Sequence, residues 1–173
     1  MANTYTLISS VTVGVGGAAS MAFTSIPSTY TDLVVKLSTR DSDLSANNGY
    51  VLMTFNGSTS SYSTRWIRGN GAAASSATGA TSSIDVGVGG AMDSGGNTAS
   101  TFSNIDVYIP NYAGSAYKST YNDSVSESNA TTAYMGLEAG LWSNTAAITS
   151  ISFAPTVLFA QYSTAYLYGV NNA

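Results

Sequence analysis

The side chains able to do chemistry are few in this chain, and the types it omits exclude as much as the types it holds suggest. His and Cys are both absent, which removes Ser-His-Asp and Cys-His catalysis, disulfides, and zinc sites built on imidazole or thiolate. Asp123 and Glu127 are the nearest approach to an acid-base pair, since two carboxyl groups at a suitable separation can cleave a glycosidic bond. Nothing in the sequence around them raises a carboxyl pKa, so they read as solvated loop carboxylates, with a glycan hydrolase as the remote alternative.

Two further patterns resemble ligand sites. Asp41-x-Asp43 followed by Asn47-Asn48-Gly49 gathers oxygen atoms of the kind calcium prefers. Its spacing is not that of a calcium-binding hand, so an acidic turn is expected and no metal site is assigned. Gly14-x-Gly16-x-x-Ala19 loosely matches a dinucleotide loop, but that chemistry needs a helix after the glycines. Ser20-Met21-Ala22-Phe23-Thr24 alternates like a strand instead, so a turn is expected there and no cofactor. Val13-Gly14-Val15-Gly16-Gly17-Ala18 recurs as Val86-Gly87-Val88-Gly89-Gly90-Ala91, which reads as two similar strand exits without the sustained period of a repeat protein.

Aromatic residues are the remaining candidates. Tyr112, Tyr117, Tyr121, Tyr134 and Trp142 fall in or beside successive late strands, where aromatic faces flanked by Asn, Ser and Asp can hold sugar rings. The same residues can equally fill a core or a subunit interface, with the hydroxyl or indole N–H finding a partner. Asn56-Gly57-Ser58, Asn122-Asp123-Ser124 and Asn129-Ala130-Thr131 are formal glycosylation acceptors, read as incidental because the N-terminus shows no secretory signal.

The elements that must position these residues are strands. Leu33, Val35 and Leu37 alternate with Val34, Lys36 and Ser38; Val51, Met53 and Phe55 share a face; Ile105, Val107 and Ile109 alternate with Asn104, Asp106 and Tyr108. Further strands are expected at residues 4–13, 21–23, 62–67, 84–88, 117–121 and 134–142, with Ile148, Ile151 and Phe153 leading to Pro155, a strand beginning at 157–159, and a last one holding Ala165 and Leu167 opposite Tyr166 and Tyr168. Asn56-Gly57 is a strong turn signal. About ten short strands in 173 residues predict an all-β fold, an antiparallel β-sandwich of jelly-roll-like form, as a single domain over 1–173. Gly/Ser/Ala-rich loops near 69–83 and 89–100 are expected to be exposed and mobile, or ordered by a neighbouring subunit.

Charge is scarce: 5 Lys or Arg and 9 Asp or Glu make 8% of the chain, against about 25% in typical soluble domains. The net charge is −4 and the cations Lys36, Arg40, Arg65, Arg68 and Lys118 are scattered, so no nucleic-acid partner is expected. No apolar run approaches the roughly 20 residues of a membrane span, so no membrane partner is expected either. A surface this neutral repels its own kind weakly, which favours self-association.

Several stretches resemble small β-rich structural proteins of tailed bacteriophages. They are Tyr5-Thr6-Leu7-Ile8-Ser9-Ser10-Val11-Thr12-Val13, Phe23-Thr24-Ser25-Ile26-Pro27-Ser28-Thr29-Tyr30-Thr31-Asp32-Leu33, Phe102-Ser103-Asn104-Ile105 with Ile109-Pro110-Asn111-Tyr112-Ala113 and Lys118, Trp142-Ser143-Asn144-Thr145-Ala146-Ala147-Ile148-Thr149-Ser150-Ile151, and Tyr166-Leu167-Tyr168-Gly169-Val170. The resemblance implies a non-enzymatic virion component assembled in the host cytoplasm, with no catalytic motif. Its expected role is a capsid decoration or cement protein, forming a homotrimer and docking on the major capsid protein or other virion proteins to stabilise the head shell. The alternative is a tail-fibre or receptor-binding module that recognises host surface glycans.

Overall fold

Period-two alternation and a wealth of β-branched and aromatic residues leave the chain no stable option but strands. The structure, a computed structural model, describes residues 4–129 and 133–171, so the acceptor Asn129-Ala130-Thr131 lies partly outside the described residues. It holds β1 (Tyr5–Thr12), β2 (Met21–Phe23), β3 (Asp32–Thr39), β4 (Val51–Phe55), β5 (Tyr62–Gly69), β6 (Ala74–Thr78), β7 (Ile84–Asp85), β8 (Ser103–Ile109), β9 (Lys118–Ser126), β10 (Tyr134–Trp142), β11 (Ile151–Pro155) and β12 (Thr164–Val170). No helix occurs among the described residues.

Every strand pairing is antiparallel, and the strands form an eight-stranded sheet, β1-β12-β3-β8-β9-β10-β5-β6, and a four-stranded sheet, β2-β11-β4-β7. The all-β, sandwich-like architecture is therefore as expected. This strand order does not establish a jelly roll, in which eight strands form two Greek keys. The smaller sheet lies over the larger, with β2 near β1 and β7 near β5 and β10. Between them Leu33, Val35, Leu37, Ile105, Val107, Ile109 and Leu167 meet Met21, Phe23, Val51, Met53, Ile151 and Phe153 in one core.

Turn chemistry hands the chain between sheets. Asn56 and Gly57 take φ of 51° and 69°, the left-handed pair that a tight turn demands, and the Ser58 amide bonds the Phe55 carbonyl at 2.9 Å. Here the turn does not close a hairpin, because β4 and β5 belong to different sheets. The Asn56 side chain is used as well, accepting from the Thr149 and Ser150 amides and donating to the Ala147 carbonyl. The two copies of Val-Gly-Val-Gly-Gly-Ala fold alike: Gly16 and Gly17, like Gly89 and Gly90, have positive φ, and Gly17 and Gly90 each bond back to the glycine three residues earlier. Context then separates them, since Val15 is 89% exposed and Val88 is fully buried.

Three expectations need correction. Residues 69–83 are not simply a loop: they contain β6, an exposed strand on the edge of the larger sheet, invisible to pattern reading because both of its faces are small and polar. Of residues 89–100, expected to be exposed, 89–94 are buried while most of 95–100 is exposed. Residues 86–94 are buried, and the Arg40 guanidinium fastens the following turn through five hydrogen bonds, to the carbonyls of Gly95, Asn97, Thr98 and Thr101 and to the Thr101 hydroxyl. Residues 157–159 form no strand; Phe159 makes only isolated bridges, to Ala18 and Asp41.

Arg40→Ala should strand these acceptors and cost about 3 kcal/mol, the usual scale for removing one partner of a buried, charge-assisted network. Arg40→Lys should recover only part of the loss, because an ammonium lacks the guanidinium fork. Urea denaturation measures both. An unchanged midpoint in Arg40→Ala would mean that the 93–101 segment is held by other contacts.

Candidate functional site

Strand register lays the outward side chains of the larger sheet in transverse rows. One row runs Leu7, Tyr168, Val34, Tyr108, Tyr121, Ala139, Arg65, Thr78. The next runs Ser10, Tyr166, Lys36, Asp106, Asp123, Leu137, Ile67, Ser76, and a third ends Val125, Met135, Gly69, Ala74. Over β5, β9 and β10 this outward face is apolar: Ile67 is 58% exposed, Met135 64% and Leu137 46%, with Tyr121 and Val125 beside them. Single exposed hydrophobes are ordinary, but a contiguous group marks a contact surface.

Two shallow grooves cross this face. One of about 590 Å³ runs past Trp66, Ile67, Ala77, Tyr121 and Leu137. The other, of about 440 Å³, is lined by Ile67, Ala74, Val125, Met135 and Leu137. The face ends at β6, which pairs with β5 alone and has neither charge nor proline. Those are the devices that usually blunt an open edge. At the far edge, β1 carries a bulge between Leu7 and Ser9, which interrupts such templating.

Behind the apolar face the pattern is inverted. The inward residues of β9 are Lys118, Thr120, Asn122, Ser124 and Ser126, all buried, and β10 places Glu138 directly beside Asn122. Lys118 is satisfied, its ammonium donating to the carbonyls of Gly114 and Ala116, and desolvation lowers its pKa. Glu138 is 2% exposed and neither carboxyl oxygen has a hydrogen-bond partner. Both amide atoms of Asn122 and the hydroxyls of Thr64, Thr120 and Ser124 are likewise buried without partners. Burial pushes the Glu138 carboxyl up to about 8, with the Asp85 charge adding to the rise. Burial also lifts Asp85 to about 6, against the opposing effect of the Gly89 amide that its Oδ2 accepts. Arg68 stands near Asp85 but spends its guanidinium over the rings of Tyr134 (4.4 Å) and Trp66 (5.4 Å).

The residues singled out from sequence separate into distinct environments. Tyr112 and Trp142 are core residues: Tyr112 donates to the Pro27 carbonyl, and Trp142 stacks on Tyr62 and packs against Phe55. Neither is presented to a glycan or partner: strand parity aims Trp142 inward, and the turn after β8 folds Tyr112 into the core. Tyr117 and Tyr121 are exposed and Tyr134 is half-buried under Arg68. Asp123 lies on the outer face opposite Asp106, with its pKa raised by burial and then by that neighbour. Glu127 lies beyond the end of β9 and accepts from the Asn129 amide. Four extended residues separate the two by about 13 Å, beyond the roughly 5 to 9.5 Å of glycosidase pairs. Asp41 and Asp43 cap their own turn, accepting from the Asp43 and Ser45 amides. Among the described residues no three His, Cys, Asp or Glu side chains converge on a metal position. The Gly14-x-Gly16 segment is a turn leading to β2, with no helix.

Sequence reasoning missed Ile67, Met135, Leu137, Tyr108 and Glu138. The signal that could have found them is glycine: Gly136 and Gly140 share one face of β10 with Glu138, and a Cβ at either would collide with Val88 or with Ile84 and Thr120. That face is therefore the packed one, leaving Met135 and Leu137 outside. No family model matches the chain, and no curated protein or solved structure matches it.

The raised carboxyls set a pH dependence. Between the ordinary values, 4.5 for Glu138 and 3.8 for Asp85, and their raised ones, the folded chain holds protons that the unfolded chain has released. Stability therefore falls as pH rises. Thermal or urea unfolding should show a loss on the order of 5 kcal/mol from about pH 5 to about pH 8. Glu138→Gln should flatten most of that slope above about pH 6. A stability that rises across this window would contradict the burial of these groups.

Proposed function

We propose that this chain is a non-enzymatic structural protein of a tailed-bacteriophage virion, a capsid decoration or cement protein that docks on the head shell. The observation that carries the reading is the contiguous apolar face of β5, β9 and β10, bordered by the uncharged free edge of β6. Such a surface suits burial against protein rather than turnover of a small molecule. The separation of Asp123, on β9, from Glu127, just beyond its end, supports a non-catalytic role. The resemblance of the β1 segment, the 102–113 stretch and the C-terminal strand to phage structural proteins supplies the virion setting. Low charge favours the homotrimer, since like copies repel weakly, and repetition over a lattice makes a modest single-site affinity sufficient.

One observation favours a second reading, a receptor-binding module of the tail: Tyr168, Tyr108 and Tyr121 occupy a single transverse row on the outer face. Aromatic faces in such a row, with Asp106, Asp123 and Lys36 alongside, suit sugar rings of a host glycan.

Head shells of the phage that encodes the chain, stripped of it, provide the test. The wild type should co-sediment with them, and Ile67→Glu with Leu137→Glu should weaken binding about tenfold or more. Because both side chains are exposed, the double variant should unfold within about 0.5 kcal/mol of the wild type. Absence of wild-type binding, or full binding by the variant, would sink the decoration reading. Saturable glycan-array binding abolished by Tyr121→Ala would then establish the tail reading in its place.

A further inference from the structure

We propose that the free edge of β6 pairs with the same edge of a second copy of this chain, antiparallel about a two-fold axis through Ser76, so that two larger sheets run on as one. The inference goes beyond the docking reading and stands whether the outer face meets a shell or a glycan.

The backbone of β6 is only half used. The Gly79 amide bonds the Thr64 carbonyl and the Asn70 amide bonds the Ala73 carbonyl, and between those ends the register runs from Arg65↔Thr78 to Gly69↔Ala74. Hydrogen-bonded pairs alternate with non-bonded ones along an antiparallel ladder, so Ser75 and Ala77 turn their N–H and C=O groups to β5. Ala74, Ser76 and Thr78 turn theirs to the open side, where none of the described residues pairs with them.

That free set is symmetric about its own middle. With a second copy laid antiparallel and Ser76 opposite Ser76, Ala74 falls opposite Thr78 and Thr78 opposite Ala74. Each of these three pairs is of the hydrogen-bonded kind, and no outward group is left over. Identical strands paired in this way form an isologous contact, the commonest type between like chains. The side chains of Ala74, Ser75, Ser76, Ala77 and Thr78 are small on both faces and bring no charge to face itself across the axis. The rows through Arg65 and Arg68 pass by Thr78 and Ser75 and reach Gly69 and Trp66 of the second copy, so no two cations are opposed. The far edge is no substitute, because the bulge between Leu7 and Ser9 breaks the ladder of β1 and a head-to-tail contact of β6 on β1 leaves bonds unmade.

The row Leu137, Ile67, Ser76 then continues into Ser76, Ile67 and Leu137 of the second copy, which joins two apolar faces into one. A five-residue strand on each side falls short of the roughly 1,000 Å² of a lasting interface. The contact is therefore reversible in dilute solution and filled where copies are crowded, as on a lattice. Being two-fold, it links copies of neighbouring trimers and does not build a trimer.

The chain has no cysteine, so single cysteines report the register. Under mild oxidation Ser76→Cys should give a disulfide-linked pair on a denaturing gel, since its two Cα atoms stand about 5.5 Å apart across the axis. Ser75→Cys, also exposed, should give at least about tenfold less, because the two copies of that residue stand roughly 8 Å apart, out of reach of the bond. In sedimentation equilibrium at high concentration, the wild type should show up to about twice the mean mass of Ser76→Glu or Ser76→Lys alone. A 1:1 mixture of those two variants should recover it, by setting opposite charges across the axis. Both should keep the wild-type unfolding midpoint, because Ser76 is exposed and its backbone makes no bond to β5. Equal linking of the two cysteines, or none at Ser76→Cys, overturns the proposal. So does wild-type association of Ser76→Glu alone, or a mixture that associates no more than its components.

Discussion

The structure depends on an inversion of polarity across one half of its larger sheet. On β3, β8 and β12 the ordinary rule holds, with Leu33, Val35, Leu37, Ile105, Val107, Ile109 and Leu167 inward. On β9 and β10 it is reversed: Thr120, Asn122, Ser124 and Glu138 point inward while Tyr121, Val125, Met135 and Leu137 face outward. Since a one-residue slip exchanges the two faces of a strand, this arrangement persists only because something fixes the register. Gly136 and Gly140 do so on β10, by leaving room that only Val88, Ile84 and Thr120 fill.

The apolar half of the sandwich supplies the stability that the inverted half gives up. The smaller sheet packs its Met21, Phe23, Met53 and Phe153 against the ordinary strands, and at one end of the core Phe55, Tyr62 and Trp142 form an aromatic trio with ring centroids about 6 Å apart. The Tyr62 hydroxyl accepts from the Phe55 amide at 2.8 Å, tying β5 to β4 across the sheets. Where the four strands of the smaller sheet run out, residues 86–94 continue the cover and Arg40 fixes the turn that follows. The exposed Lys36 pair with Asp106 adds little, because water screens it. Both the docking proposal and the pH dependence are consequences of the same inversion: apolar groups left outside need a partner surface, and acidic groups left inside hold their protons to higher pH.

Much of the fold was legible because period two survives in short segments. The alternation at Leu33, Val35 and Leu37, at Val51, Met53 and Phe55, and at Ile105, Val107 and Ile109 located β3, β4 and β8 with their buried faces. The same rule located β9 and β10 but could not orient them. In Lys118–Ser126 one face carries Tyr121 and Val125 and the other only hydroxyls and an amide, so hydrophobicity alone assigns the wrong face to the core. Trp142 was open to a surface role for the complementary reason: its ring suits either environment, and only the parity shared with Gly140 and Glu138 decides. β6 was illegible because Ala74-Ser75-Ser76-Ala77-Thr78 has no contrast between faces. The burial of residues 86–94 was illegible because its partners are distant in sequence: Val86, Met92 and Asp93 pair through the backbone with Val51, Gly49 and Asp41.

The central claim is that the outward face of β5, β9 and β10 is covered in the working state. Hydroxyl-radical footprinting tests it most directly, because Met135 is exposed there while Met21, Met53 and Met92 are buried and serve as internal references. The account predicts that oxidation of Met135 drops sharply when the chain is incorporated in virions, while Tyr50 and Tyr162, exposed away from that face, stay reactive. Equal oxidation of Met135 in the free and assembled protein would contradict it.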